Sequence, residues 1–217
     1  MEVKASRSTL VGLGRKNFVA GRASQKGEVN KMISDAVKEQ LGLPEVGQVG
    51  YVVTDINSTI AYYKDTFGIS PWMLLDERPE PCVEKGEEVH PLLRIALAYE
   101  DSVQLELIQV VEGETFHLNH VKEGKEEAHH LGFMVHNINK RLDDFRGRGI
   151  EIVQRGTIKD VGLTIDYAYL DTVNQAGIII ELLQWRLGPV PLPVNRRVFN
   201  FLCLVGARTF LKGRVIK

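Results

Sequence analysis

The chain has 217 residues, 44% of them hydrophobic and 25% charged, which suits the core of one mid-sized domain or two small ones. A net charge of -1 gives a nucleic-acid partner no electrostatic footing, and no run of 18 apolar residues argues for a spanning helix. The charge is uneven, however. Residues 1–27 carry six Lys/Arg against one acid and residues 186–217 carry seven against none, so the middle of the chain is acidic. Cys82 and Cys203 have neither metal-ligand nor disulfide-framework spacing, which predicts a reducing, cytoplasmic setting. The basic, Ser-bearing start leaves mitochondrial import as the alternative to a flexible arm.

Beyond the arm at 1–27, Val29, Met32, Ile33, Ala36, Val37 and Leu41 recur at helical spacing, predicting an added helix within 28–45 that stops at Gly42 and Pro44. Gln48 to Val53 reads as a buried strand. A helix capped by Asn57 or Ser58 follows, with a core stripe of Ile60, Tyr63 and Phe67 ended by Gly68. Ser70 to Leu75 is a second strand. Residues 76–91, with Pro79, Pro81 and Pro91 among many acids, read as a long exposed loop of the kind that often covers a site.

Leu92 to Tyr99 and Val103 to Val110 form a hairpin about Glu100-Asp101. By alternation Arg94, Ala96 and Ala98 share one strand face, and Gln104, Glu106 and Ile108 share another. Grouping Arg94 and the two alanines with Glu106 predicts a cavity wall. A polar linker, 111–127, holds His117 and His120. A second strand–helix–strand–strand–strand series then runs over 128–185, matching a first over 46–110. The tail, 186–217, begins with an extended Pro-rich segment. It ends in interleaved Phe, Leu and basic residues that suit a docked helix, a dimer-forming element or an interfacial anchor.

The two series share more than their order. Gln48-Val49-Gly50-Tyr51 and His130-Leu131-Gly132-Phe133 stand 82 positions apart, each opening a copy with a polar side chain two places before a glycine. Glu106 and Glu181 each lie inside the last strand of a copy. If a pseudo-twofold axis relates the copies, these four side chains converge. One imidazole, two carboxylates and an amide oxygen suit a divalent metal of intermediate softness.

At these residues the chain resembles the vicinal-oxygen-chelate superfamily, which includes glyoxalase I, methylmalonyl-CoA epimerase, extradiol dioxygenases and bleomycin-resistance proteins. The likeness spans about 46–185. It rests on Gln48-Val-Gly-Tyr-Val-Val with Tyr62-Tyr63-Lys64-Asp65-Thr66-Phe67-Gly68, on His129-His130-Leu-Gly-Phe-Met-Val, and on Gly177-Ile-Ile-Ile-Glu181-Leu-Leu-Gln184. It implies an α+β fold of two βαβββ modules forming a cupped, mostly antiparallel sheet, and a divalent metal (Zn, Ni, Co, Mn or Mg) held by Gln48, Glu106, His130 and Glu181.

Two carboxylates with one His favour the glyoxalase I and epimerase branch over the dioxygenases, which use two His and one Glu. On the strand where the epimerases present a catalytic glutamate this chain has Arg94, a permanent cation suited to anchoring a substrate carboxylate or enolate, or to pairing with Glu106. The leading expectation is a metal-dependent isomerase, epimerase or lyase acting on a small enolisable carbonyl or carboxylate substrate. Glu106 or Glu181 would move the proton, and Tyr167 and Tyr169 would line the pocket. A homodimer is expected. The alternatives are a metal-free, resistance-type binding protein and, behind it, an extradiol-type dioxygenase.

Overall fold

The computed structural model describes residues 42–122, 128–160, 163–206 and 214–217. The basic arm at 1–27, and the helix expected within 28–45 up to Leu41, lie outside the described residues. The first series is β1 (Gln48–Val52), α1 (Ile56–Phe67), β2 (Trp72–Glu77), the short pair β3 (Cys82–Glu84) and β4 (Glu87–Glu88), then β5 (Leu92–Glu100) and β6 (Val103–Glu112). A short helix α2 (His117–Lys122) leads to the second series, β7 (Ala128–Met134), α3 (Ile138–Arg146), β8 (Ile152–Asp160) and β9 (Leu163–Leu170). The turn α4 (Val173–Ala176) then leads to β10 (Ile179–Leu187).

The copies repeat in detail. Asp55 caps α1 by accepting from the Asn57 and Ser58 amides, two or three residues earlier than the caps expected at those residues themselves, and Asn137 caps α3 by accepting from the Lys140 amide. The first amide of each helix is met by a glutamine from the last strand of its own copy. Ile56 N donates to Gln109 Oε1 at 3.2 Å, and Ile138 N donates to Gln184 Oε1 at 3.0 Å. Of the stripe expected on α1, Ile60 is buried and Tyr63 half-buried, but Phe67 stays exposed at the helix end, where Gly68 takes a left-handed φ of 70°.

The described strands join one sheet in the order β12 (Arg214–Ile216)-β2-β5-β6-β1-β7-β10-β9-β8-β3-β4, with β11 (Val190–Pro191) paired to β10 off this path. Within it the spatial order of the first copy, β2-β5-β6-β1, is mirrored by β7-β10-β9-β8. The sheet must curl. Eight strand spacings separate β2 from β3, about 38 Å if flat at about 4.8 Å each. Yet only residues 78–81 join them, a reach of at most about 18 Å. The segment 76–91 is therefore not a free loop. Its β3 pairs with β8 of the other copy, Cys82 against Gly156 and Glu84 against Gln154, and clasps the two modules.

Inside the curl, Met73, Leu75, Leu93, Ile95, Leu97 and Ile108 of the first copy pack with Leu163, Ile165, Leu183 and Trp185 of the second. The C-terminal helix α5 (Arg196–Phe201), capped by Asn195 and following the short β11 (Val190–Pro191), adds Phe199 to this cluster. Phe199 is 1% exposed and lies 5.1 Å from the Tyr99 ring, a burial that contributes about 1.5–3 kcal/mol. β12 (Arg214–Ile216) adds antiparallel to β2. The described part of the tail is thus docked on the domain. No helix among the described residues is long and apolar enough to cross a membrane.

Candidate metal centre

The centre sits where the two copies meet, on the inner face of four adjacent strands. β1 runs parallel to β6 with Gly50 opposite Glu106, and β7 runs parallel to β10 with Gly132 opposite Glu181. β1 and β7 are antiparallel, with Gly50 opposite His130 and Gln48 opposite Gly132. This register explains the glycine in each copy. A Cβ on Gly50 would lie within 3.0 Å of three atoms of the His130 ring, and a Cβ on Gly132 would meet Gln48 and Leu183. Each glycine clears the space that the other copy's leading side chain fills.

His130 Nε2 lies 3.1 Å from Glu106 Oε2 and 3.1 Å from Glu181 Oε2. All three residues are buried, and Glu106 Oε2, His130 Nε2 and Glu181 Oε2 have no partners beyond one another. Burial opposes charge on His130, but the Glu181 charge and the hydrogen bonds to both glutamates outweigh it, holding the imidazole in its protonated form with a pKa pushed up to about 10. Burial raises the Glu181 carboxyl, against the pull of His130, and the Tyr169 phenol lowers it slightly. Burial, with Glu181 and Glu106 beside it, also drives the Tyr169 phenol well above its ordinary range. Gln48 donates from Nε2 to Gln104 Oε1 at 2.9 Å, which leaves its buried Oε1 without a partner. A cavity of about 40 Å³ opens on this cluster, lined by Gln48, Glu106, Glu181, Tyr167 and Tyr169 at the polar end and by leucines, isoleucines and Trp185 elsewhere.

The structure therefore brings together Gln48, Glu106, His130 and Glu181, with Tyr167 and Tyr169 on the same wall. Arg94 is not among them. The inner face of β5 is Leu93, Ile95 and Leu97, and Leu97 pairs with Glu106. Arg94 emerges on the outer face, where Nε and Nη2 bind Asp76 at 2.6 and 2.9 Å. Its partner is Asp76, not Glu106. Ala96 and Ala98, expected beside a cavity, instead make room for α1, packing against Ile56, Ile60 and Trp72.

Three neighbours had no signal in the spacing. His129 precedes His130 on β7, and its Nδ1 lies 3.0 Å from His130 Nδ1. His117, from the segment read as a polar linker, is fully buried and stacks on His129 with ring centroids 5.1 Å apart. Burial, with His130 and His120 nearby, lowers its pKa to about 3. Cys82, carried in on β3, lies 3.4 Å from the Tyr167 hydroxyl.

The donor set fits a divalent cation. Two buried carboxylates against one imidazolium leave an excess negative charge, whereas a divalent ion with neutral His130 would balance them. The His, Glu and Glu donor atoms all fall within 4.8 Å of one another, and Gln48, whose Oε1 is buried without a partner, lines the same cavity.

No curated protein matches the sequence. Among solved structures, similar chains include a hypothetical protein of Bacillus halodurans C-125 (18% identity, TM-score 0.47, covering 64% of this chain and 92% of that one). Methylmalonyl-CoA epimerase from Mycobacterium tuberculosis (16%, TM-score 0.45, covering 67% and 87%) is another. A Streptomyces coelicolor methylmalonyl-CoA epimerase variant in complex with 2-nitronate-propionyl-CoA is a third (21%, TM-score 0.41, covering 70% and 99%). The model of one family matches residues 47–169, from the strand that opens the first copy to the tyrosine beside Glu181. That match, over more than half of a chain folded as a duplicated, curled sheet, shows that it belongs to the Glyoxalase/Bleomycin resistance protein/Dioxygenase superfamily.

Proposed function

We propose that the protein is a metal-dependent isomerase, epimerase or lyase that removes a proton beside a carbonyl of a small substrate. One observation carries this reading: three buried donor atoms, Glu106 Oε2, His130 Nε2 and Glu181 Oε2, converge with no partners but one another. Gln48, Glu106, His130 and Glu181 would hold the ion. Bound there, a divalent ion acts as a Lewis acid that stabilises negative charge on a substrate oxygen as the neighbouring carbon loses its proton.

The chain's own residues do the rest. Glu181 is the proposed base, because its buried carboxylate lines the cavity in which a substrate would lie, and it would leave the ion to take the proton. Tyr169 orients that carboxylate, and Glu106 and Gln48 complete the polar wall. The apolar remainder of the lining excludes water, which keeps these charges strong. A cavity of about 40 Å³ is far below the roughly 300–1,000 Å³ of ligand pockets, so the walls must part to admit a substrate.

The test is elemental analysis of wild type and His130→Ala, followed by solvent deuterium exchange into enolisable carbonyl compounds for wild type and Glu181→Gln. About one divalent ion per chain, lost in His130→Ala, with exchange lost in Glu181→Gln, is the expected result. A wild type that takes up no metal after reconstitution sinks the proposal. That result favours the metal-free binding protein, for which the mainly apolar lining is the supporting observation. A centre of one His and two Glu does not supply the two His and one Glu of the dioxygenases.

A further inference from the structure

We propose that His129 is a positioning residue for the centre: through the Nδ1–Nδ1 hydrogen bond it keeps His130 in the Nδ1–H form, with Nε2 aimed at Glu106 and Glu181. The proposal rests on reading Glu106, His130 and Glu181 as metal donors and extends that reading one layer outward.

The argument is one of valence. Two ring nitrogens 3.0 Å apart must share one proton. His130 Nε2 faces two carboxylates at 3.1 Å, so it carries either a proton or a metal. When Nε2 binds a metal, the proton left on the ring is on Nδ1, so His130 Nδ1 donates, His129 Nδ1 accepts, and the His129 proton lies on Nε2. The arrangement that reverses the bond is a neutral His130 with its proton on Nε2, and a His129 held with its proton on Nε2 disfavours it. A ring that ligates a metal commonly needs such a partner on its other nitrogen, most often a carboxylate or carbonyl. A neutral imidazole accepts the bond without adding negative charge to a site that already holds two glutamates.

His129 is itself held in place. It stacks on His117 at an interplanar angle of 29°, and the edge of His120 approaches it with centroids 4.7 Å apart. His117 Nδ1 meets Thr115 Oγ1 at 3.0 Å, and Gln154 Nε2 donates to Thr115 Oγ1 and to Glu84 Oε2, both at 2.9 Å. The support thus reaches from the α2 segment and the β3 clasp to a nitrogen facing the metal donors. The His129 and His130 rings stand nearly perpendicular, at 88°, with Gly50 clearing the space His130 occupies.

The experiment is long-range 1H–15N NMR of the histidine rings in metal-free and zinc-titrated wild type, joined to zinc affinity by chelator competition for His129→Leu and His129→Asn. Expected are a protonated His130 Nδ1 and a protonated His129 Nε2 in the metal-free protein, unchanged on zinc binding. His129→Leu should lose about 10- to 100-fold in zinc affinity. His129→Asn, whose Oδ1 accepts near the Nδ1 position, should recover most of it. A proton on His129 Nδ1, or equal zinc affinity in wild type and both variants, overturns the proposal. Should the wild type bind no zinc, the metal reading fails by itself, and the tautomers of the metal-free protein still decide the role of His129. The same measurement stands if His129→Leu does not fold.

Discussion

The Gly50→Ala substitution tests the architecture of the centre more sharply than removal of any ligand. The strand backbone at Gly50 is not in the left-handed region, so the substitution meets a problem of space and not of strain. The new methyl would fall within 3.0 Å of three His130 ring atoms, and that ring cannot easily retreat. It is fully buried, bonded on one side to Glu106 and Glu181 and on the other to His129. Overpacking of this kind costs about 1–3 kcal/mol. At about 2–4 °C per kcal/mol for a chain of this length, the melting temperature should fall by about 2–12 °C. Metal content should fall with it, because the displaced ring carries a donor. Gly132→Ala is the matched control. Its methyl meets Gln48 Oε1 and Cβ and Leu183 and leaves the His130 ring in place, so it should cost stability while retaining more metal. Differential scanning calorimetry and elemental analysis on both variants read the comparison. A Gly50→Ala protein with wild-type melting temperature and metal content would refute the placement of His130 over β1.

Other substitutions separate the remaining roles. Arg94→Ala removes a partly exposed ion pair with Asp76, worth about 0–1 kcal/mol, and should leave metal content and turnover unchanged. A large rise in KM with unchanged stability would return Arg94 to the substrate. Phe199→Ala should cost about 3–5 kcal/mol in urea unfolding, because a fully buried ring is lost from the inner cluster. A cost under 1 kcal/mol would show that the tail is not docked in solution. His117 supplies the pH dependence. Its folded pKa of about 3 lies below its ordinary 6.5, so between these values the unfolded chain binds the extra proton and stability falls as pH falls. That slope is at most about 1.4 kcal/mol per pH unit from this one group. His117→Phe, which keeps a ring in the stack, should flatten the stability profile of the metal-free protein over this window. An identical slope in the variant would show that His117 does not stay neutral.

What the sequence made legible follows from periodicity and duplication. Gln48 and His130 stand 82 residues apart, as do Gly50 and Gly132, and the helix caps Asp55 and Asn137 keep the same interval. Repetition of that kind makes both modules legible, and with Glu106 and Glu181 each inside the last strand of a copy it predicts that four polar side chains meet. Arg94 was misplaced for a definite reason. Alternation sorts each strand into two faces, but which face of β5 matches which face of β6 depends on the register set by the Glu100-Asp101-Ser102 turn, where Leu97 pairs with Glu106. Small residues at Ala96 and Ala98 then have two readings, a cavity or a close helix, and the helix is correct. The β3–β4 hairpin was masked by Pro79 and Pro81. Its one local cue is Lys85-Gly86, where positive φ values of 50° and 89° make the turn. His117 was hidden because the rings that pack on it include His129 and Tyr169, distant in sequence.

The duplication leaves one deliberate asymmetry, and it has a chemical consequence. By the pairing of β1 with β7, Gln48 and His130 occupy equivalent places, each opposite the other copy's glycine. A histidine pair there would give two donors that compete with protons near neutral pH. An amide does not titrate. Gln48 is also fixed differently, its Nε2 committed to Gln104 so that the buried Oε1 alone is left without a partner. The charge count with a divalent ion is unaltered, since the two glutamates still balance it, but proton competition at these two equivalent places falls on His130 alone. One half of the repeat supplies a donor that must release a proton to bind, and the other supplies one that need not. Gln48→His is therefore expected to add a second protonation step to metal binding, readable as a steeper loss of zinc affinity below pH 6.5 by chelator competition. An unchanged pH slope would place Gln48 outside the set of donors that hold the ion.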